Sequence, residues 1–545
     1  MNITRAVMLA ILVAVFPSAR GENLVDVRWL SKNLDSSDVL ILDAQPRPLH
    51  AKAHVPGAVA VDVMSIASFG VRDVSLQEIE RVYQLLGIDA SRKVVIYDQG
   101  GTWFATRLFF QLHYHGFPLD NLAVVDGGMA KWQAEGLPVS KDPTPAPKRG
   151  SFHIGTINEQ DRTRMPELIA ASGDRQRSVL IDALGPEYHY GSAAFFNKAG
   201  HIPNAVLMPA EDFFNDDKTF KSPAEIRRMA AHLGIRQDQE VHAHCGGGGA
   251  AAVPYFAIKY LAGYSKVKLS VESQMGWLQD GRDLPFWTYA APATMRDADW
   301  LPSWGGRMLR MYGVSKISVI DVRAPEAYAE GHLPYAVSVS AEVFRRHVND
   351  PHKLAELLGA SGVDSSHEAV IVSGGGLTKD AALAYVMLEN LGQTKVSLFM
   401  ESLDSVDVLD RLARKAFALT KDATVVGKPT KPADLAIPPA RYESLARGAV
   451  VVGDARAGAG TKVYIASGAG VLTRPLEGKV VHVPFSDLLN ADRTPKAAKD
   501  IWTVLSKAGV PRYAELVTVS DEPGEAAANY YLLKLMGFPD VKVLL

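Results

Sequence analysis

Cysteine is nearly absent: a single one, Cys245, occurs in 545 residues. A lone thiol forms no internal disulfide and builds no cysteine-rich metal cluster, so Cys245 is either reactive or simply buried. An excess of charge of one sign is also missing. With Lys+Arg 58 against Asp+Glu 60, the net charge is −2, which excludes a global basic field for nucleic acid and an acidic tail. Long apolar runs are missing as well. The run from Ala6 to Phe16, after Arg5, is too short to span a bilayer. Followed by Pro17-Ser18-Ala19-Arg20-Gly21, it fits a signal peptide over residues 1–21, which predicts a periplasmic or secreted protein with no membrane association after cleavage.

What is present is an ordinary globular composition, 47% hydrophobic and 22% charged, in a chain long enough for several domains. An apolar strand ending in an acidic residue recurs at a nearly constant interval: Val39 to Asp43, Val179 to Asp182, Val319 to Asp321 and Val450 to Asp454. A histidine turn follows in three copies, around His54, His201 and His332, with a blurred fourth at Val481-His482-Val483-Pro484. Each unit continues with a glycine-stopped helix, a second apolar strand, another helix and a third strand. Strands alternating with helices at these lengths predict an α/β fold of four tandem domains, each a small parallel sheet with helices on both faces. Proline-rich and polar linkers place the domains at 22–142, 150–290, 299–424 and 434–545.

Cys245 ends the second strand of the second unit, in Val241-His242-Ala243-His244-Cys245-Gly246-Gly247-Gly248-Gly249-Ala250. A thiolate is the nucleophilic form of cysteine, and backbone N–H groups stabilise it. Gly246, Gly247, Gly248, Gly249 and Ala250 are therefore expected to curl into a cradle whose amides point at one anionic atom. His242 and His244 alternate on the strand and share a face, while consecutive residues point apart, so a metal site from His242, His244 and Cys245 is poorly spaced and none is expected. The recurring histidines and aspartates are expected to be structural. Trp132 and Trp277 are expected to pack at the ends of their domains.

These residues resemble the rhodanese family across nearly the whole mature chain. The matching pieces are the Asp-ended strand, the Gly-His-Ile-Pro turn, the strand leading into the cysteine loop, and a closing motif complete in the first unit as Gly127-Gly128-Met129-Ala130-Lys131-Trp132 through Gly136-Leu137-Pro138. The resemblance implies a cysteine that takes a sulfane sulfur as a persulfide and passes it to a thiophilic acceptor, with no cofactor. It also implies an inactive first domain that walls the Cys245 cleft. Counting along the loops sets Asp98, Gly374 (with Ser373 before it) and a segment near Ser520 opposite Cys245, which predicts three silent domains. The loop lacks the arginine of phosphatase relatives, and its Cys-Gly-x-Gly-x-x-Ala pattern is similar to 3-mercaptopyruvate sulfurtransferases. The arginines that usually clamp an anionic donor are missing after Asp182. Tyr188, His189 and Tyr190 stand there instead and, with His244, are candidates for the substrate pocket. The expected partners are a small sulfur donor and a thiol, cyanide or protein acceptor. The competing expectation is a non-catalytic scaffold or sulfur-relay binding protein.

Overall fold

A computed structural model describes residues 23–301, 314–333, 335–393, 395–403, 437–440, 442–443, 450 and 462–545. The expected signal segment 1–21 lies outside them, as do residues 451–454. The chain divides into two compact units, residues 1–163, 210–227 and 248–271 in one and 164–209, 228–247 and 272–545 in the other.

Four parallel sheets form. The first holds β1 (Leu24–Val25), β2 (Val39–Asp43), β3 (Val59–Ala60), β4 (Lys93–Tyr97) and β5 (Leu122–Val125) in the order β1-β5-β4-β2-β3. The second repeats that order with β6 (Arg162–Thr163), β7 (Ser178–Asp182), β8 (Val206–Leu207), β9 (Glu240–His244) and β10 (Val267–Ser270). The third does so with β11 (Met295–Arg296), β12 (Ile317–Asp321), β13 (Ala336–Ser338), β14 (Glu368–Val372) and β15 (Lys395–Phe399). The fourth has β16 (Lys462–Ala466), β17 (Lys479–His482), β18 (Glu515–Val519) and β19 (Val541–Leu544) in the order β17-β16-β18-β19. The central strands read as continuous apolar runs because helices cover both faces of a parallel sheet.

Strand register corrects three sequence expectations. In the fourth repeat the central strand is β16, not Val450 to Asp454. Val450 accepts from Val543 N–H at 2.8 Å, the edge position that Val25 holds when it accepts from Asp126 N–H. Its uninterrupted apolar run Val450-Val451-Val452 misled because such a run reads as a buried central strand. His482 pairs with Ala466 as Leu207 pairs with Asp182, so it sits on the edge strand and is no counterpart of His201. Third, Asp182 pairs with His244 and Asp321 with Val372, which puts Ser373, not Gly374, opposite Cys245.

In the first unit, Val27, Leu30, Ile41, Val95, Met129 and Trp132 form a core on one face of the sheet. On the other side, helix Phe104–Tyr114 brings Phe109 and Phe110 edge-on to Phe256 and Tyr255, with ring centroids 4.9 and 5.1 Å apart. Asp161 accepts there from Tyr255 at 2.8 Å and pairs with Lys259 at 2.5 Å. Burial opposes its ionisation, but bonds from His113 and Lys259 prevail and hold its pKa at about 2. In the second unit, helices Lys379–Asn390 and Pro523–Leu535 lie in one core with Tyr385 against Tyr531.

One hairpin occurs twice. Asn215-Asp216-Asp217-Lys218-Thr219 and Asn490-Ala491-Asp492-Arg493-Thr494 both turn through a left-handed residue, Lys218 at φ 70° and Arg493 at φ 67°. In both, the threonine hydroxyl donates to the aspartate at 2.6 Å. Lys218 lies against Gly101, while Arg493 donates to Gly374 O at 2.7 Å and accepts from Leu377 N–H at 2.8 Å.

Candidate active site

Cys245 follows β9 directly, and its backbone is held from both sides. Its N–H donates to Ser273 Oγ at 3.1 Å, and its carbonyl accepts from Gln274 N–H at 3.0 Å. Met275 N–H then bonds the Gly246 carbonyl at 2.9 Å. The first repeat makes the matching bonds, Met129 to Asp98 O and Ala130 to Gln99 O, which confirms Asp98 as the counterpart of Cys245. Ser273 was not foreseen. It stands where the closing motif of the first repeat has Gly128, and it keeps the same left-handed backbone, φ 49° against 51°. The altered motif Glu272-Ser273-Gln274 was the signal that could have found it.

Residues 245–249 are buried, and Cys245 is only 3% exposed. Among the described residues, the amide N–H groups of Gly246, Gly247, Gly249, Ala250 and Ala251 donate to no other backbone or side-chain acceptor. Such a row of unspent donors in a buried turn is where an anion gains most. Glycine is required at two points. Gly248 has φ 88°, and a Cβ there would lie 2.8 Å from the Val271 backbone. A Cβ on Gly246 would enter the Phe195 ring, whose residue is 45% exposed. Gly249 lies against Trp103 of the first repeat, which stacks on Phe104 at 4.1 Å. Neither aromatic was singled out from sequence.

Behind the cysteine, Asp182 is fully buried. It accepts from Leu184 N–H at 3.1 Å and bonds His189 Nδ1 at 2.8 Å. His189 stacks on His201 at 3.7 Å, and His201 Nδ1 donates to the His189 carbonyl at 2.7 Å. Burial pushes Asp182 up and lowers His189 and His201 to about 3, so the histidines are neutral. The first repeat contains the same arrangement, with Asp43 bonding His50 at 2.6 Å and His50 stacked on His54. In the third, Tyr328 stacks on His332. Recurrence in repeats without a thiol makes these histidines structural. Trp132 and Trp277 also pack as expected, donating to Pro138 O and Pro285 O.

The pocket candidates separate. His189 is committed to Asp182. Tyr190 is buried, donates to Met536 O at 3.0 Å and stacks on Trp502 at 5.2 Å, so it serves packing with the fourth repeat and does not face a ligand. Tyr188 is half-buried. His244 is fully buried, with burial lowering its pKa to about 4. Neither of its ring nitrogens has a hydrogen-bond partner among the described residues. Tyr97, at the same register position in the first repeat, instead donates to Asp43 at 2.6 Å.

The first and fourth loops spend donors internally, and the third does not. Asp98 accepts from Gly100 N–H at 2.8 Å, Ala105 N–H at 3.0 Å and Thr102 Oγ1 at 2.7 Å. Ser520 Oγ donates to Glu525 at 2.7 Å, and Glu522 accepts from Gly524 N–H at 3.1 Å. The buried hydroxyl of Ser373 has no hydrogen-bond partner among the described residues.

Comparison with known proteins agrees with this architecture. The Rhodanese-like domain profile matches residues 26–135, 165–280 and 306–407, more than half of the chain. The sulfur carrier protein TtuD of Thermus thermophilus is 28% identical over 263 residues, covering 46% of this chain and 91% of that protein. A Mycobacterium tuberculosis protein provisionally named a thiosulfate sulfurtransferase is 27% identical over 261 residues, covering 46% and 92%. Among solved structures, SseA of Escherichia coli, described as a 3-mercaptopyruvate sulfotransferase of rhodanese fold, superposes at TM-score 0.42 with 21% identity, covering 46% of this chain and 98% of that one. The fourth sheet lies beyond the profile matches but keeps the strand order of the other three from the centre outward. The chain belongs to the rhodanese family, and its sequence relatives are sulfur-transfer proteins.

Proposed function

We propose that this protein is an exported sulfurtransferase that carries sulfur on Cys245. The observation that carries the reading is that, among the described residues, the amides of Gly246, Gly247, Gly249, Ala250 and Ala251 have no acceptor in the turn that follows Cys245, the sole cysteine of the sequence. In the first half-reaction the Cys245 thiolate attacks the sulfane sulfur of a donor. A new S–S bond forms, the bond between that sulfur and the rest of the donor breaks, and the electron pair leaves with the departing group. In the second, a thiol, cyanide or protein acceptor attacks the outer sulfur, and the pair returns to Cys245. The loop amides hold the persulfide anion between the two steps.

Access sets the donor. Cys245 is nearly closed off, and the half-exposed Phe195 ring packs against Gly246, the next residue. With no arginine clamp after Asp182, a donor of low charge fits better than thiosulfate. Tyr188 remains the pocket residue proposed from this segment.

The burial of Cys245 and the missing arginines favour a second reading, a sulfur-free scaffold. Incubating the full chain with polysulfide, mercaptopyruvate or thiosulfate and weighing it intact separates the two. Gain of one sulfur, absent in Cys245→Ser, supports the transferase, and no adduct with any donor supports the scaffold. Export is tested by locating the chain after expression with residues 1–21 and without them.

A further inference from the structure

At the opposite end of β9 from the cysteine, three metal-binding side chains converge. Glu240 and His242, two residues apart on the strand, share a face, and Glu167 comes from the first turn of helix Met165–Gly173. One ligand atom from each lies within 4.8 Å of the other two. His242 is fully buried, and its Nε2 faces Glu240 Oε2 at 3.8 Å, longer than a hydrogen bond. We propose that Glu167, Glu240 and His242 bind one divalent d-block cation of the zinc class.

The donor set selects the ion. An imidazole nitrogen with two carboxylate oxygens suits zinc, cobalt or nickel, whereas calcium and magnesium prefer oxygen alone. Bonds of about 2.0–2.1 Å at tetrahedral angles set ligand atoms about 3.4 Å apart. The His242–Glu240 pair is already close to that spacing. Glu240 is about half exposed and Glu167 half-buried, so both carboxylates have room to close in. Two carboxylates neutralise the ion beside a buried imidazole, and the remaining coordination position opens to solvent. Cys245 lies three residues further along, about 10 Å by strand rise, which separates this site from the thiol. A bound ion would tie helix Met165–Gly173 to β9.

The test uses the full chain as Cys245→Ser, so that the thiol takes no part. Titration with Zn²⁺ by calorimetry, and with Co²⁺ by visible absorption, is expected to show one equivalent bound. Glu240→Gln, an exposed substitution that leaves the fold intact, is expected to weaken binding at least tenfold, and His242→Ala to abolish it. Zn²⁺ is expected to raise the unfolding temperature of Cys245→Ser but not of its Glu240→Gln derivative. Absence of saturable uptake in Cys245→Ser, or uptake unchanged by Glu240→Gln, overturns the proposal.

Discussion

The Cys245 and Ser520 loops occupy the same place after the same strand, yet they treat their surroundings in opposite ways. In the turn after Cys245, five amides have no acceptor among the described residues. Around Ser520, Glu522 caps the following helix and pairs with Arg345 at 2.8 Å and Lys379 at 3.4 Å, while Ser520 itself donates to Glu525. There a carboxylate supplied by the chain itself accepts from a loop amide. On the proposed reading, sulfur loading requires donors left over after folding as well as a thiol. Asp98 makes the same point in the first repeat, since its carboxylate consumes three local donors.

The strongest challenge to that contrast is an exchange of nucleophiles. Cys245→Ser is expected to abolish sulfur loading, and Ser520→Cys in that background is expected to restore none of it, as read by intact mass. Loading by the engineered thiol would show that the amides are irrelevant. Gly248→Ala comes next. Its Cβ meets the Val271 backbone in a left-handed turn, which should cost on the order of 1–3 kcal/mol by denaturant unfolding and sharply slow loading. Gly470→Ala, where nothing lies within 4 Å, is the neutral control in the fourth repeat.

Acid stability tests the buried histidines behind Cys245. His189 and His201 titrate near 3 when folded and near 6.5 when unfolded, so the unfolded chain binds more protons between those values. Stability should therefore fall as pH drops from about 6.5 towards 3, by on the order of a few kcal/mol. Asp182, raised by burial, opposes part of this slope. Urea midpoints measured against pH should show a shallower dependence in His201→Gln, and an unchanged slope would contradict the neutral-histidine assignment. The smallest effect belongs to Tyr190→Phe. Losing one buried hydrogen bond to Met536 should cost about 1 kcal/mol, with sulfur loading unaffected. A changed loading rate would return Tyr190 to the pocket.

Much of this was legible in the chain. The Asp-ended strands, the Cys245 turn and the glycine stops follow local rules that tertiary packing does not override. The fourth repeat was less legible, because the run from Val450 ends in Asp454 as the central strands of the other repeats end in aspartate, whereas β16 ends in Ala466 and only its pairing with β17 and β18 marks it as central. The third loop slipped by one residue for a similar reason. In Ser373-Gly374-Gly375-Gly376 the composition cannot fix register, whereas pairing with Asp321 does. Ser273, Phe195 and Trp103 reach the loop from distant segments, and Glu167 meets His242 the same way, so periodicity alone could not reveal them.

The twin hairpins at Lys218 and Arg493 bear on how the repeats are grouped. Each reaches from an even-numbered repeat onto the loop of the repeat before it, so the structural unit is a pair of repeats, not a single lobe. Engineering that exchanges or removes repeats should therefore keep the first with the second and the third with the fourth, since cutting within a pair strips a loop of the hairpin that contacts it.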